Sequence, residues 1–373
     1  METQDNASRR QYIAVGFCAL LSPTVRTLPA LVTPYAAEHA WISALAAIIP
    51  FLLISAMLGR FMRSMGPGEG MAELFIRSLG KVIGRALLLL FGLWLLFYAA
   101  FIMRSAAHRF ISAIFPESSL MAYIPVMGLL ACITGLGQFK VLARSAEVIR
   151  PLLLAVLCFT LFFSLPEVRW DTFSMPIAQD ALPILRGVVP ILNVAGPLCY
   201  LSFAANHTKP GPGMTRTFAL WLTVTAALLS ALCFTTVGSF GPELIELITN
   251  PYLVMIRNIR ITNTMERVEA LVIAIWFFTD FILVAALMHS SVNALSRAIG
   301  ITVERSGSGG LLSGGRWLVV LSALAAAVCA LFLAPNTQSL TRLSMQLIPA
   351  LNLFFSLVLL PAVFLVGMVR KRV

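Results

Sequence analysis

Polar groups interrupt several otherwise apolar runs, and the chemistry they offer is binding rather than bond-breaking. One run reads Ala19-Leu20-Leu21-Ser22-Pro23-Thr24-Val25-Arg26-Thr27-Leu28-Pro29, and another Val189-Pro190-Ile191-Leu192-Asn193-Val194-Ala195-Gly196-Pro197. Proline removes a backbone donor and frees the carbonyl a turn earlier. Inside an apolar span, freed groups must be buried in protein or line a wet cavity. Half-helix N-termini can hold a carboxylate, and unwound carbonyls an amine or cation. On that basis Ser22, Thr24, Asn193 and Gly196 are expected to line a pocket through side-chain and backbone groups. The alternative is a pair of proline kinks that only shape packing.

A third run, Ile275-Trp276-Phe277-Phe278-Thr279-Asp280-Phe281-Ile282, carries a lone acid. A carboxylate at the bilayer centre costs at least ~2.5–3.5 kcal/mol, so it must pair, protonate or face water. Asp280 is open to reading as a contact for a substrate amine, a proton site, or half of a structural ion pair with Arg26. Arg26 in turn can meet a substrate carboxylate, pair with Asp280, or snorkel to the interface. Tyr98, Arg104 and Asn352 are weaker cavity candidates, and Asn352 also fits an interhelical hydrogen bond.

No nucleophile–base pair, phosphate-binding loop or metal cluster is visible, so no catalytic residue, metal or cofactor is expected. The six cysteines all lie in apolar runs without C-x-x-C spacing, and the four histidines are scattered. They read as membrane-helix residues rather than as a redox or zinc site.

The elements that must position these groups follow from composition. Of 373 residues, 59% are hydrophobic and 12% charged, against roughly a quarter charged in a soluble domain. Mean hydropathy is +0.90. A transmembrane helix needs ~20 mostly apolar residues. Ten such blocks can be placed, at 11–36, 40–61, 82–109, 121–139, 146–166, 182–205, 216–239, 265–297, 316–334 and 345–369. The expected fold is therefore an all-α polytopic membrane protein, with residues 1–373 forming one integral membrane domain. Spans one and six hold matching places if residues 11–166 and 182–369 are two five-helix repeats, the second inverted because five is odd. Interrupted helices at matching positions of inverted halves point to a transporter-type binding site.

Net charge is +11, but the basic residues sit at the ends of apolar runs, where they act as topology signals. No basic stripe with aromatic platforms suggests nucleic acid. Of the 27 basic residues, 18 fall on one side of alternate connections, leaving 9 on the other. That bias places both termini in the cytoplasm. The longest external connection, 240–264, is expected to hold two short amphipathic helices, and 306–315 is a Gly/Ser linker. Asn263-Thr264-Met265-Glu266 matches a capping box.

Several segments then fit a known pattern. These are Leu79-Gly80-Lys81-Val82-Ile83-Gly84-Arg85, Leu142-Ala143-Arg144-Ser145-Ala146-Glu147-Val148-Ile149-Arg150-Pro151, and Met175-Pro176-Ile177 with Leu182-Pro183-Ile184-Leu185-Arg186-Gly187. The most specific block is Phe240-Gly241-Pro242-Glu243, Asn250-Pro251, Arg257-Asn258-Ile259, Glu266-Arg267-Val268-Glu269 and Trp276. On these residues the chain resembles the spore germination permease family, the B subunit of bacterial spore germinant receptors, within the amino acid/polyamine/organocation (APC) transporters. The resemblance implies a LeuT-like 5+5 inverted repeat. It implies a small germinant, an amino acid or sugar, bound between spans one, three, six, eight and ten. It also implies partners, an A-type membrane subunit and a C-type lipoprotein, in the inner spore membrane. Together with the residue reading, the expected ligand site is Ser22, Thr24, Arg26, Tyr98, Asn193, Gly196 and Asp280. A proton- or sodium-coupled amino acid permease is the alternative function.

Overall fold

A computed structural model describes residues 7–66, 69–113, 119–207, 213–248, 250–258, 268–303 and 314–370. Helices dominate, and no β-strand occurs among the described residues. The first half holds α1 (Arg9–Ala36), α2 (Ala40–Ala46), α3 (Ile48–Ser64), α4 (Met71–Leu79), α5 (Lys81–Ala113), α6 (Leu120–Leu136) and α7 (Phe139–Ser164). The second holds α8 (Ala181–Leu192), α9 (Gly196–Leu201), α10 (Met214–Phe240), α11 (Pro242–Leu247), α12 (Pro251–Asn258), α13 (Val268–Ile299) and α14 (Arg316–Phe332). The last run is divided into α15 (Thr337–Arg342), α16 (Ile348–Leu353) and α17 (Leu360–Val369).

Seven helical stretches among the described residues are long and apolar enough to cross a membrane: Thr27–Ser64, Lys81–Ile111, Phe139–Glu167, Ala178–Asn206, Met214–Phe240, Val272–Ile299 and Thr337–Val369. The apolar helices α6 and α14 have 17 residues each. Large apolar side chains such as Ile49, Val82, Leu129, Phe162, Leu185 and Leu324 face outward, as they do where lipid is the solvent.

Local sequence explains where these helices begin and how they meet. α1 opens on a reciprocal capping box: Gln11 N–H donates to Ser8 Oγ at 3.3 Å, and Ser8 N–H to Gln11 Oε1 at 3.0 Å. Two otherwise orphaned donors are thereby satisfied. Gly80, at φ 88°, turns the chain from α4 into α5, a conformation that glycine adopts without a Cβ clash. Gly84 then lets the two helices touch, since a Cβ there would lie 2.8 Å from the Phe75 carbonyl oxygen. The polar 62–81 segment folds on itself: Arg77 meets Glu69 at 3.3 Å, and Arg297 of α13 meets Glu73 of α4 at 2.7 Å.

The interruptions fall differently from expectation. α1 is one continuous helix through Ser22-Pro23-Thr24, so the expected break in span one is absent. A proline removes one rung, and the ladder on either side carries the helix through. Span six does break: α8 yields to a 3-10 turn at Asn193–Ala195 before α9. Pro197 has no N–H for the Asn193 carbonyl, and Gly196 N–H bonds that oxygen instead. The last run carries two π turns that the sequence reading did not anticipate, Leu343–Leu347 and Phe354–Leu359. Each ends two residues before a proline, Pro349 and Pro361. A widened turn relieves the clash of the proline ring with the preceding turn.

α13 packs along α5 more extensively than any other described helix pair, and α1 lies against α7, α8, α10 and α13. Residues 178–206 and 272–299 are the spans most enclosed by protein. The broken helix and the helix bearing Asp280 thus form the centre of the molecule.

Candidate functional site

A cleft opens where α8 gives way to the 3-10 turn. From that segment it is lined by Pro190, Asn193, Val194 and Pro197. α5 contributes Tyr98, Phe101, Ile102, Ser105 and Arg109, and α1 contributes Thr27, Leu28 and Leu31. Ser344, in the first π turn, and Ile348 close the fourth side. The space between these side chains is ≈ 610 Å³, open solvent at the mouth included. The α5 contribution follows from periodicity: Tyr98, Phe101/Ile102, Ser105 and Arg109 recur at three- and four-residue intervals, which places them on one face. π turns re-aim side chains and are frequent at functional sites.

The lining is part apolar and part hydroxyl-bearing. The buried Asn193 Oδ1 has no hydrogen-bond partner within the protein. An unsatisfied buried acceptor costs about 1–3 kcal/mol, so this wall of the cleft carries an unmet demand for a donor. The inner wall is held by rings. Tyr98 stacks on Trp94 at 5.7 Å with an interplanar angle of 8°, and meets Tyr200 edge-on at 6.1 Å. Tyr200 Oη donates to Asn352 Oδ1 at 2.8 Å. Asn352 is therefore an interhelical acceptor behind the wall, one of the two readings its position allowed.

Arg109 is the one charged side chain among the described residues that line the cleft. Its Nη2 donates to Asp280 Oδ2 at 2.5 Å, with side-chain exposures of 17% for Arg109 and 3% for Asp280. The described cation paired with Asp280 is thus Arg109 of α5; the side chain of Arg26, the partner considered from sequence, lies outside the described residues. On its far side Arg109 borders a second, smaller cavity with Asp280, Tyr123, Trp276, Phe277 and Leu253 of α12. Above it, α12 is anchored by Tyr252, whose Oη lies 2.5 Å from Thr160 Oγ1 and whose ring packs 5.4 Å from Trp276. Burial pushes the Tyr252 phenol above its usual range, so it stays protonated and bonded.

The expected site residues separate. Tyr98 and Asn193 line the cleft together. Gly196 lies outside that lining, packed 3.6 Å (measured from a Cβ built on it) from Asn352 and Tyr200. Asp280 sits one side chain behind the cleft, reached through Arg109. The side chains of Ser22, Thr24 and Arg26 lie outside the described residues, as does the Asn263–Glu266 capping box. Arg104 lies outside the described lining of both cavities and donates to the carbonyls of Leu331 and Ala334 at 3.4 and 2.5 Å, closing the end of α14. Residue reasoning missed Thr27, Ser105, Arg109 and Ser344. Extending the Tyr98 stripe by seven and eleven positions along α5 would have reached Ser105 and Arg109.

Comparison with known proteins places this geometry. A family model described as "Spore germination protein" (Spore_permease) matches residues 8–339. A curated relative, the putative spore germination protein YfkT of Bacillus subtilis (strain 168), is 24% identical over 294 residues, covering 78% of this chain and 80% of its own. Among solved structures, Mhp1, a nucleobase-cation-symport-1 family transporter in a closed conformation with bromovinylhydantoin bound, aligns with a TM-score of 0.63 at 13% identity. That alignment covers 95% of this chain and 79% of Mhp1. The family and the structural relative are of permease and transporter type, not enzymes. The fold is that of an integral membrane transporter, and by the match over residues 8–339 the chain belongs to the spore germination protein (spore permease) family.

Proposed function

We infer that this chain is the germinant-binding transmembrane subunit of a spore germinant receptor, taking a small nutrient into the cleft between α1, α5, α8 and the last run. The observation that carries the reading is the cleft itself. It lies at the one described break of a central helix, is lined by Asn193, whose buried amide oxygen has no partner, and belongs to a chain of the spore germination family. In this reading ten spans form two inverted five-helix repeats of LeuT-like arrangement, with both termini cytoplasmic and the chain in the inner spore membrane. Tyr98 and Asn193 contact the ligand, with Ser22, Thr24 and Arg26 of the same α1 helix and Gly196 and Asp280 in support. An A-type membrane subunit and a C-type lipoprotein complete the receptor. A ligand shifts such a protein only through different affinity for two conformations, so occupancy of the cleft is the trigger.

The transporter fold also favours a second reading, a coupled amino acid permease. One variant tests both. Ser105→Trp fills the cleft with an indole, whereas Leu185→Trp, at an exposed apolar position, serves as control. Spores carrying Ser105→Trp should release no dipicolinate in response to the nutrient that triggers the wild type, at equal membrane abundance. A normal response would refute the cleft. Accumulation of labelled solute by vesicles holding this chain alone, lost in Ser105→Trp, would establish the permease.

A further inference from the structure

Arg109 stands between two cavities and bonds to only one side of them. Its Nη2 is engaged by Asp280, and no other described hydrogen bond uses its remaining donors. Those donors are not sealed off, because Arg109 lines both the cleft and the smaller cavity behind it. No carboxylate is among the described residues lining the cleft, which offers Thr27, Ser105 and Ser344 hydroxyls beside the guanidinium. In the smaller cavity, the buried Tyr123 hydroxyl has no hydrogen-bond partner, and Asp280 lines the same space.

These observations fit together as an exchange. Resting on the cleft reading above, we propose that the ligand carries a carboxylate that takes Arg109 from Asp280, and that Asp280 then accepts a hydrogen bond from Tyr123 Oη. The guanidinium fork is suited to trading one carboxylate for another, since it offers five donors in a fixed plane. The exchange leaves Arg109 paired throughout. It also gives Asp280 the Tyr123 hydroxyl as a donor in place of Arg109, and each donor kept lowers the cost of a buried carboxylate. The ligand class is a compact carboxylate whose remainder is apolar or hydroxyl-bearing, matching Leu28, Leu31 and Ile348 on one side and the hydroxyls on the other. Because Leu253 of α12 lines the cavity into which Asp280 turns, and Tyr252 ties α12 to Thr160 and Trp276, occupancy of the cleft is felt at α12.

The test is calorimetric titration of the full chain in lipid nanodiscs with matched pairs: alanine and alaninamide, leucine and leucinamide, lactate and lactamide. Glucose and inosine serve as uncharged solutes. The carboxylate of a bound pair should be favoured on the order of 10- to 100-fold, the range of a charge-assisted hydrogen bond. The preference should vanish in Arg109→Gln/Asp280→Asn, which removes both charges together, and Tyr123→Phe should weaken the carboxylate roughly threefold or more. Amides or uncharged solutes binding as tightly as carboxylates, with binding blocked by Ser105→Trp, would overturn the exchange and leave the cleft reading standing. No solute binding, or binding indifferent to Ser105→Trp, would overturn both. The wild-type comparison of matched pairs stands even if a variant fails to fold.

Discussion

The Arg109–Asp280 pair is unevenly buried, and that unevenness predicts unequal single variants. The Asp280 side chain is 3% exposed and that of Arg109 17%. Arg109→Gln takes this cation from a carboxylate that is almost wholly buried beside Trp276, Phe277 and Tyr123. Asp280→Asn strands a guanidinium that already borders the cleft, where water can enter. Removing one partner of a buried pair costs about 3–5 kcal/mol, whereas replacing both with neutral groups of similar volume is often neutral. We expect Arg109→Gln to lie near ~5 kcal/mol, Asp280→Asn at or below ~3 kcal/mol, and the double variant within ~1 kcal/mol of wild type. The assay is unfolding of the purified chain in mixed micelles, followed by tryptophan fluorescence and analysed as a double-mutant cycle. Equal losses in the two single variants would refute the burial argument. A double variant that loses the sum of the singles would refute the pairing itself.

Two glycines separate backbone contact from open packing. Gly84→Ala drives a Cβ to 2.8 Å from the Phe75 carbonyl and should cost roughly 1–3 kcal/mol, whereas Gly196→Ala meets only ordinary contacts at 3.6 Å and should leave stability nearly unchanged; apparent melting temperatures in one detergent check the pair, and equal shifts would contradict the geometry. Arg104→Met removes the donors that close the end of α14 and should cost about 2 kcal/mol. Arg104→Lys should recover part of that loss, and hydrogen exchange at the last turn of α14 should rise in the Met variant alone.

How much of this was legible varies by residue. The run expected at 82–109 forms α5, Lys81–Ala113, and that expected at 216–239 forms α10, Met214–Phe240. The two short helices expected in 240–264 occur as α11 and α12. Apolar runs of this length have few other solutions, since backbone groups in lipid must be bonded within their own segment. Proline patterns were a weaker guide. Pro197 follows a break at Asn193–Ala195, yet Pro23 sits within a continuous helix, and Pro349 and Pro361 accompany π turns that no pattern announced. A missing N–H obliges the chain to adjust, but neighbouring helices decide whether it kinks, tightens or widens.

Asp280 shows the boundary most clearly. A lone acid in an apolar run declares from sequence that it needs a partner, because the cost of leaving it bare is local and large. Where a partner comes from is another matter: the described one, Arg109, lies 171 residues away and is one of several arginines on its side of the chain. The sequence by itself determined that the chain is helical, membrane-embedded and interrupted at Asn193, because hydropathy and donor loss act over a few residues. Only the tertiary structure decided that Tyr98, Asn193 and Arg109 share one cleft, that Gly196 packs behind it, and that Arg104 closes a helix end instead. Those outcomes depend on which faces of distant helices meet and at what depth, and no local rule carries that information.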